Sequence, residues 1–309
     1  MTKHSRSFQA LVASLVVSVL AACGASPSQV APVTPQEMPE QVIDAQARAA
    51  FRFGLGADIS RDPGVALDEP LRLQAFEIQA SLPERVDLRP MCSPVANQGQ
   101  FGACTAFATV KGLQEALLKK QGRYRPQSPA LLWYESKRQT GSKGKDDGVP
   151  TEFAVKMLDA YGSAPEEAFP YLPLEQHRDP VARQAFLQSE PSAQVVALSK
   201  QNRLVKGYEL TTRLSGIRKA LASGMPVVLA MRVFDNISKT PASGLMPMPT
   251  ASSKFVGGHA VLAVGYDSAK QVLVVRNSWG SSWADGGYFY MPYSYFKTGG
   301  VRLAVIPKL

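Results

Sequence analysis

The chain holds only three Cys and three His among its 309 residues, so a site built from these types can be found by elimination. Cys104 follows the loop Gln98-Gly99-Gln100-Phe101-Gly102-Ala103 and opens an apolar-periodic stretch, which places its sulfur at a predicted helix start. Unpaired N–H groups and the positive end of the helix dipole favour thiolate there. The loop glycines let backbone pass close to a bound chain. The alternative is a buried structural thiol, the commonest fate of a free Cys. Cys92 fits that second reading better, because it lies between Pro90 and Pro94 with no helix start beside it. His4 belongs to the leading segment described below, which leaves His177 and His259. His259 follows Gly257-Gly258 and begins the run Ala260-Val261-Leu262-Ala263-Val264, so it is either a core His or a proton acceptor at a strand edge. Asn277, before Ser278-Trp279-Gly280, is either a turn former or an amide that orients an imidazole. So few Cys and His exclude a disulfide framework and a multi-ligand zinc site.

The elements that must position these residues fall into two styles. Ala106, Phe107, Val110, Leu113 and Leu117 give a helical stripe from Cys104 to about Gln121. Thr151–Tyr161 is a second helix stopped by Gly162, and Leu214–Ala222 a third stopped by Gly224. After Pro226 come strands at Val227–Val233, His259–Tyr266, Val272–Asn277 and Gly287–Met291, punctuated by turn formers such as Asp267-Ser268. Helices first and an antiparallel sheet after make the fold class α+β. The length supports one large domain or two modest ones, and 45% hydrophobic residues exclude wholesale disorder. A formal charge of +9 invites a nucleic-acid partner, but the Lys and Arg are scattered without a block of five, so that reading is set aside.

The first 22 residues read as a secretory signal, with Lys3 and Arg6 ahead of the apolar run from Phe8 to Ala22. Leu20-Ala21-Ala22-Cys23 resembles a bacterial lipobox, which implies cleavage before Cys23, lipid on its thiol, and an envelope location. Gly24 to about Gln41 is rich in Pro, Ala, Ser and Gln and reads as a tether. A weak amphipathic helix is expected at Gln41–Phe53, closed by Gly54 and Gly56. Residues 24–82 carry four Arg against eight Asp and Glu, a net of −4, while the part from Pro83 onward carries +11. The organisation expected is therefore a signal over 1–22, a lipidated Cys with an acidic tether or short prosegment over 23–81, and a domain over 82–309.

Taken together, Gln98–Cys104, Gly257-Gly258-His259-Ala260 and Asn277-Ser278-Trp279-Gly280 with Trp283 and Gly286-Gly287-Tyr288 resemble the papain-like cysteine peptidases, in order and in spacing. Leu82–Arg89 resembles the family's mature N-terminus, Asp147-Gly148-Val149-Pro150 its substrate-binding loop, and Ala168-Phe169-Pro170-Tyr171 its Tyr-Pro-Tyr-like element. The resemblance implies a helical half and an antiparallel, β-barrel-like half with the cleft between. It implies Cys104 as nucleophile, His259 as proton acceptor and donor, and Asn277 as the holder of the imidazole, with Trp279 shielding that bond. It makes Gln98 an oxyanion donor beside the Cys104 N–H. Gly148 would pair with substrate backbone, and Val149, Pro150 and Ala260 would line a pocket for an apolar or moderately sized side chain. No metal or organic cofactor is implied, and the partners are protein or peptide substrates of a monomer.

The chain departs from the family pattern at several places. Phe101 stands where a Cys is usual, and the partner Cys near Asp146-Asp147 is missing with it, which suggests replacement of a disulfide by packing. Thr105 replaces an aromatic residue and Gly258 an acidic or amide one. The function expected is a cysteine endopeptidase at a bacterial envelope. The alternatives are a silent papain-like peptide-binding protein, or an acyl transferase or amidase using the same dyad.

Overall fold

Val227–Phe234 is buried at every position and Phe255–Asp267 at all but the last, so both faces of any sheet built on them must be covered. That constraint sets the architecture. A computed structural model describes residues 43–51, 53–59 and 82–309; the signal, Cys23 and the tether lie outside them. In chain order the elements are α1 (Ala45–Ala50), β1 (Arg85–Asp87), α2 (104–120), α3 (Pro129–Gln139), α4 (Thr151–Tyr161), α5 (Pro180–Gln188), α6 (Ala193–Lys200), β2 (Tyr208–Thr211), α7 (Leu214–Ala222), β3 (Val227–Phe234), β4 (Phe255–Asp267), β5 (Val272–Arg276), β6 (Tyr288–Pro292), α8 (Ser294–Lys297) and β7 (Val301–Pro307).

The strands form one antiparallel sheet in the order β2-β7-β3-β4-β5-β6, with β1 pairing β4 off that path. Its period-2 alternation sorts the core into two layers. Val228, Ala230, Ala260, Leu262 and Val264 face the layer that includes Val110, Leu113 and Leu117 of α2. Val227, Leu229, Met231, Val261 and Ala263 face the other layer, with Ile217 and Leu221 of α7 and the aromatic Trp279, Trp283 and Phe289. The helical half thus packs through α2 onto the sheet, and Cys104 begins α2 at the seam. The buried Arg276 guanidinium pins the same seam from the far side, donating to the carbonyls of Ser93, Pro94 and Lys111.

The helices expected at Thr151–Tyr161 and Leu214–Ala222 form with those bounds. The helix from Cys104 forms too, with a π-helical middle at Phe107–Gln114. Two expectations are corrected. The sheet is open rather than barrel-like, because β2 and β6 end it without pairing each other. The early helix is only Ala45–Ala50, N-capped by the Asp44 side chain and ended at Phe51, so Gly54 and Gly56 lie beyond it and serve another purpose.

Candidate active site

Cys104 is the first residue of α2, and its N-cap Ala103 offers no side-chain acceptor to the first-turn amides. The helix start therefore keeps its positive end directed at whatever approaches the sulfur. Sγ accepts from the Ala260 N–H at 3.4 Å, which brings it beside the His259 end of β4. His259 Nε2 lies 2.8 Å from Asn277 Oδ1. That oxygen also accepts from the Ser278 N–H, so Nε2 must carry the hydrogen and Nδ1 the lone pair. Nδ1 is buried with no hydrogen-bond partner, which leaves it open to a thiol proton. Trp279 stacks on the imidazole at 4.8 Å between ring centroids, beside the His–Asn bond.

Gln98 is placed by a residue that sequence reasoning passed over. Its Oε1 accepts from Ser278 Oγ at 2.6 Å, which fixes which end of the amide is NH2. Nε2 then points inward, donating to Phe101 O and to Gly54 O. Ser278 was visible in the Asn-Ser-Trp-Gly motif, but only the three-dimensional contact gives it a task.

The cleft itself is filled by residues 53–59 of the same chain. Gly54 N–H donates to Gly99 O, Ala57 N–H to Gly258 O, Asp58 N–H to Val149 O, and Val149 N–H to Gly56 O. The last two make a parallel bridge between Ala57 and Val149. Phe53 stacks on Trp279 at 4.3 Å. Glycine is needed for so close an approach: a Cβ at Gly56 would collide with Gly102 O, and one at Gly258 with Ala57 O. Gly258, a departure from the family pattern, is thus the floor on which this segment lies. Arg48 of α1 props the turn by donating to Phe53 O and Leu55 O.

Gly148 and Pro150 line an open cavity of about 700 Å³ at one end of the cleft, together with Phe255, Arg232 and Arg302. Val149 and Ala260 are fully buried instead, in the same apolar cluster as Ala57 of the segment. Arg232 lays its guanidinium over Phe234 and Phe255, and the lining carries charges of both signs: Arg48 and Asp58 from the docked segment, and Arg232, Arg302 and Asp147 from the domain.

Closure removes water from both reacting groups: Cys104 and His259 are 0% exposed. Burial pushes the thiol up to about 11, against the opposing pull of amides from Ala260, Gly56, Thr105 and Ala57. Burial pushes His259 down to about 4; the Asn277 hydrogen bond opposes this and the nearby Arg48 cation adds to it. In the closed form, burial therefore favours the neutral state of both partners. Cys92 is buried and also shifted up by burial, as a structural thiol should be.

The chain belongs to the papain family of cysteine proteases: the family profile described as "Papain family cysteine protease" matches residues 82–306. It is therefore a cysteine-type peptidase, a hydrolase. It is 29% identical over 251 residues to an uncharacterized peptidase C1-like protein of Acanthamoeba polyphaga mimivirus, covering 76% of this chain and 78% of that one. It is 28% identical to human cathepsin L2 over 73% of this chain, and spans 63% of that protein's length. Among solved structures, xylellain, a cysteine protease from Xylella fastidiosa, aligns with a TM-score of 0.65 at 25% identity, covering 89% of this chain and 96% of that one. Digestive procathepsin L 3 of Tenebrio molitor larval midgut aligns with a TM-score of 0.59 at 25% identity, over 85% and 78%.

The shifts carry a sign. Between His259's ordinary 6.5 and about 4, the closed form binds fewer protons than an open form whose imidazole is hydrated, so acid favours opening. Between the thiol's ordinary 9.0 and about 11 the closed form binds more protons, so alkali favours opening too. Hydrogen exchange of the 53–59 amides, corrected for intrinsic rate, should therefore accelerate as pH falls from 6.5 towards 4, by up to about tenfold per unit. Constant protection over that range would contradict the linkage.

Proposed function

We propose that the chain is a cysteine endopeptidase held latent by its own residues 43–59 and acting through a thiol acyl-enzyme. The observation that carries this is the register of the docked segment. The carbonyl on the Gln98 donor belongs to Gly54, whereas the part of the segment whose amides act on the thiol, pulling its pKa down against burial, is Gly56-Ala57, two residues further on. Attack needs a carbonyl carbon at the sulfur with its own oxygen on the donor. The segment therefore occupies the machinery without offering it a bond to break.

Once the cleft opens, water returns to the pair. His259 Nδ1 takes the Cys104 proton, and Sγ attacks the substrate carbonyl carbon. The oxyanion is held by Gln98 Nε2 and the Cys104 N–H. The C–N bond breaks as the imidazolium returns its proton to the leaving amine. A water then gives a proton to His259 and attacks the thioester, releasing the acid and restoring the thiol. Asn277 keeps the ring in the tautomer this needs, and Trp279 keeps water off that bond.

Cys104→Ala should abolish hydrolysis of a fluorogenic peptide panel, and proteolytic removal of the segment from the wild type should raise kcat/KM by an order of magnitude or more. Equal activity with and without the segment would favour a plain spacer. If Cys104 resists alkylation as Cys92 does in the opened form and no peptide is cleaved, the silent peptide-binding alternative becomes the better one.

The cavity beside Pro150 refines the expected apolar pocket. When the segment leaves, Arg48 and Asp58 go with it, and the domain's own lining keeps Phe255 as an apolar wall with Arg232 and Arg302 against the single acid Asp147, a net positive charge that suits a side chain with a methylene stem and an acidic end. Peptides carrying Glu at the position entering this cavity should exceed Lys peptides in kcat/KM, and Arg302→Glu should reverse the order. No preference in either protein would remove this assignment.

The lipobox-like Leu20–Cys23 supports an enzyme anchored to a bacterial envelope, on its periplasmic or outer face. Cys23→Ser should move the protein from the membrane to the soluble fraction. Unchanged partitioning, with no lipid-sized mass on the N-terminal peptide, would reject the anchor.

A further inference from the structure

The loop from Gln98 to Cys104 carries both proposed oxyanion donors, yet two of its residues are glycine and the disulfide that would tie it down is missing. Its hold comes instead from the stretch around α5. Tyr171 Oη donates to Gln98 O at 3.0 Å. The Gln100 N–H donates to His177 Nδ1 at 3.3 Å, and the His177 Nε2 contact with Leu172 O at 2.9 Å sets the tautomer that leaves Nδ1 as acceptor. The Gly102 N–H donates to Asp146 Oδ1 at 2.8 Å. Asp146 Oδ2 in turn accepts from Arg183 Nη2 at 2.8 Å. Arg183 also donates to His177 O and lays its guanidinium 4.1 Å from the centre of the Phe101 ring.

The Arg183 side-chain contacts with Asp146, His177 and Phe101 thus land on the loop or on residues that hold it. Phe101, where the family pattern has a Cys, is fully buried under that guanidinium, and Asp146, near the other missing Cys, accepts from both sides. We infer that Arg183 is a positioning residue for peptide hydrolysis: acting through Asp146 and Phe101, it holds the Gly102 amide and with it the Gln98 donor, in place of a covalent tie. Charge-assisted bonds to a carboxylate combine strength with a fixed direction, which a soft loop needs if its donors are to meet a developing oxyanion. The inference rests on the reading of Cys104 as nucleophile and Gln98 as donor.

The pair is about one quarter exposed on each side, so a purely structural role would be worth little. The test must therefore separate transition-state support from stability. Full-length protein with the segment cleaved in place would be compared as wild type, Arg183→Met, Arg183→Lys, Asp146→Asn and Cys104→Ala. Arg183→Met keeps the methylene stem but removes the guanidinium from Phe101, Asp146 and His177 O together, whereas Asp146→Asn removes the ion pair and leaves the guanidinium packed over Phe101. Removing an oxyanion donor outright typically costs about 10²–10³ in rate. A displaced donor should cost less. Arg183→Met and Asp146→Asn should lower kcat roughly ten- to a hundredfold, with KM and the rate of Cys104 alkylation within about threefold of wild type. Arg183→Lys should recover part of the loss, because it can still pair with Asp146.

Wild-type kcat in Arg183→Met would overturn the inference. So would a parallel fall of kcat, alkylation rate and melting temperature, which would make the cluster merely structural. Hydrolysis retained by Cys104→Ala would instead remove the functional reading on which the inference rests.

Discussion

Proton transfer between a thiol and an imidazole creates two charges, and the surroundings must tolerate both. In this chain that tolerance depends on one contact: the backbone of residues 53–59 pressed along the cleft. With it in place, Cys104 and His259 are dry and neutral. Desolvation penalises the charged form of each group, so the catalytic residues can be in position and still be inactive. The latency proposed for this chain would require no distortion of the site, only the exclusion of water.

The rest of the fold makes such closure possible. α2 starts at the seam, the covered sheet holds β4 rigid behind His259, and β5 ends where Asn277 must reach the ring. Ser278 then links the imidazole's holder to the oxyanion donor, since its N–H goes to Asn277 and its hydroxyl to Gln98. One short turn after β5 therefore sets the orientation of two functional amides.

Cys104, His259 and Asn277 were legible in the sequence because each sits in a motif whose local residues have a physical reason to be there. The strands β3, β4 and β5 were legible for a related reason: both faces are covered, so the apolar runs are nearly continuous. α3 escaped notice because Glu135, Ser136 and Lys137 interrupt its stripe, and only the structure reveals them as buried. β2 was missed as a four-residue segment, and β7 as a longer run, Val301–Pro307, whose apolar residues do not alternate cleanly. The docked segment was missed in a more instructive way. Gly54 and Gly56 have the appearance of a helix stop, but their missing side chains are spaces cut for the loop opposite. Arg183 and Asp146 lie 37 residues apart and carry no local signal at all. Their partnership exists only once α5 has folded back over the loop.

The segment that fills the cleft is joined to β1 of the same molecule through residues 60–81. A ligand tethered this way faces its site at an effective concentration set by the connecting chain, whatever the dilution of the protein. The handful of backbone bonds and one aromatic stack along residues 53–59 therefore have only modest work to do. A single cut anywhere in the connecting residues leaves every one of those contacts intact and changes only the arithmetic. The same segment becomes a separate molecule competing at its bulk concentration, and dilution alone then empties the cleft. If the segment is inhibitory as proposed, the control lies in the continuity of the chain more than in the strength of the contacts.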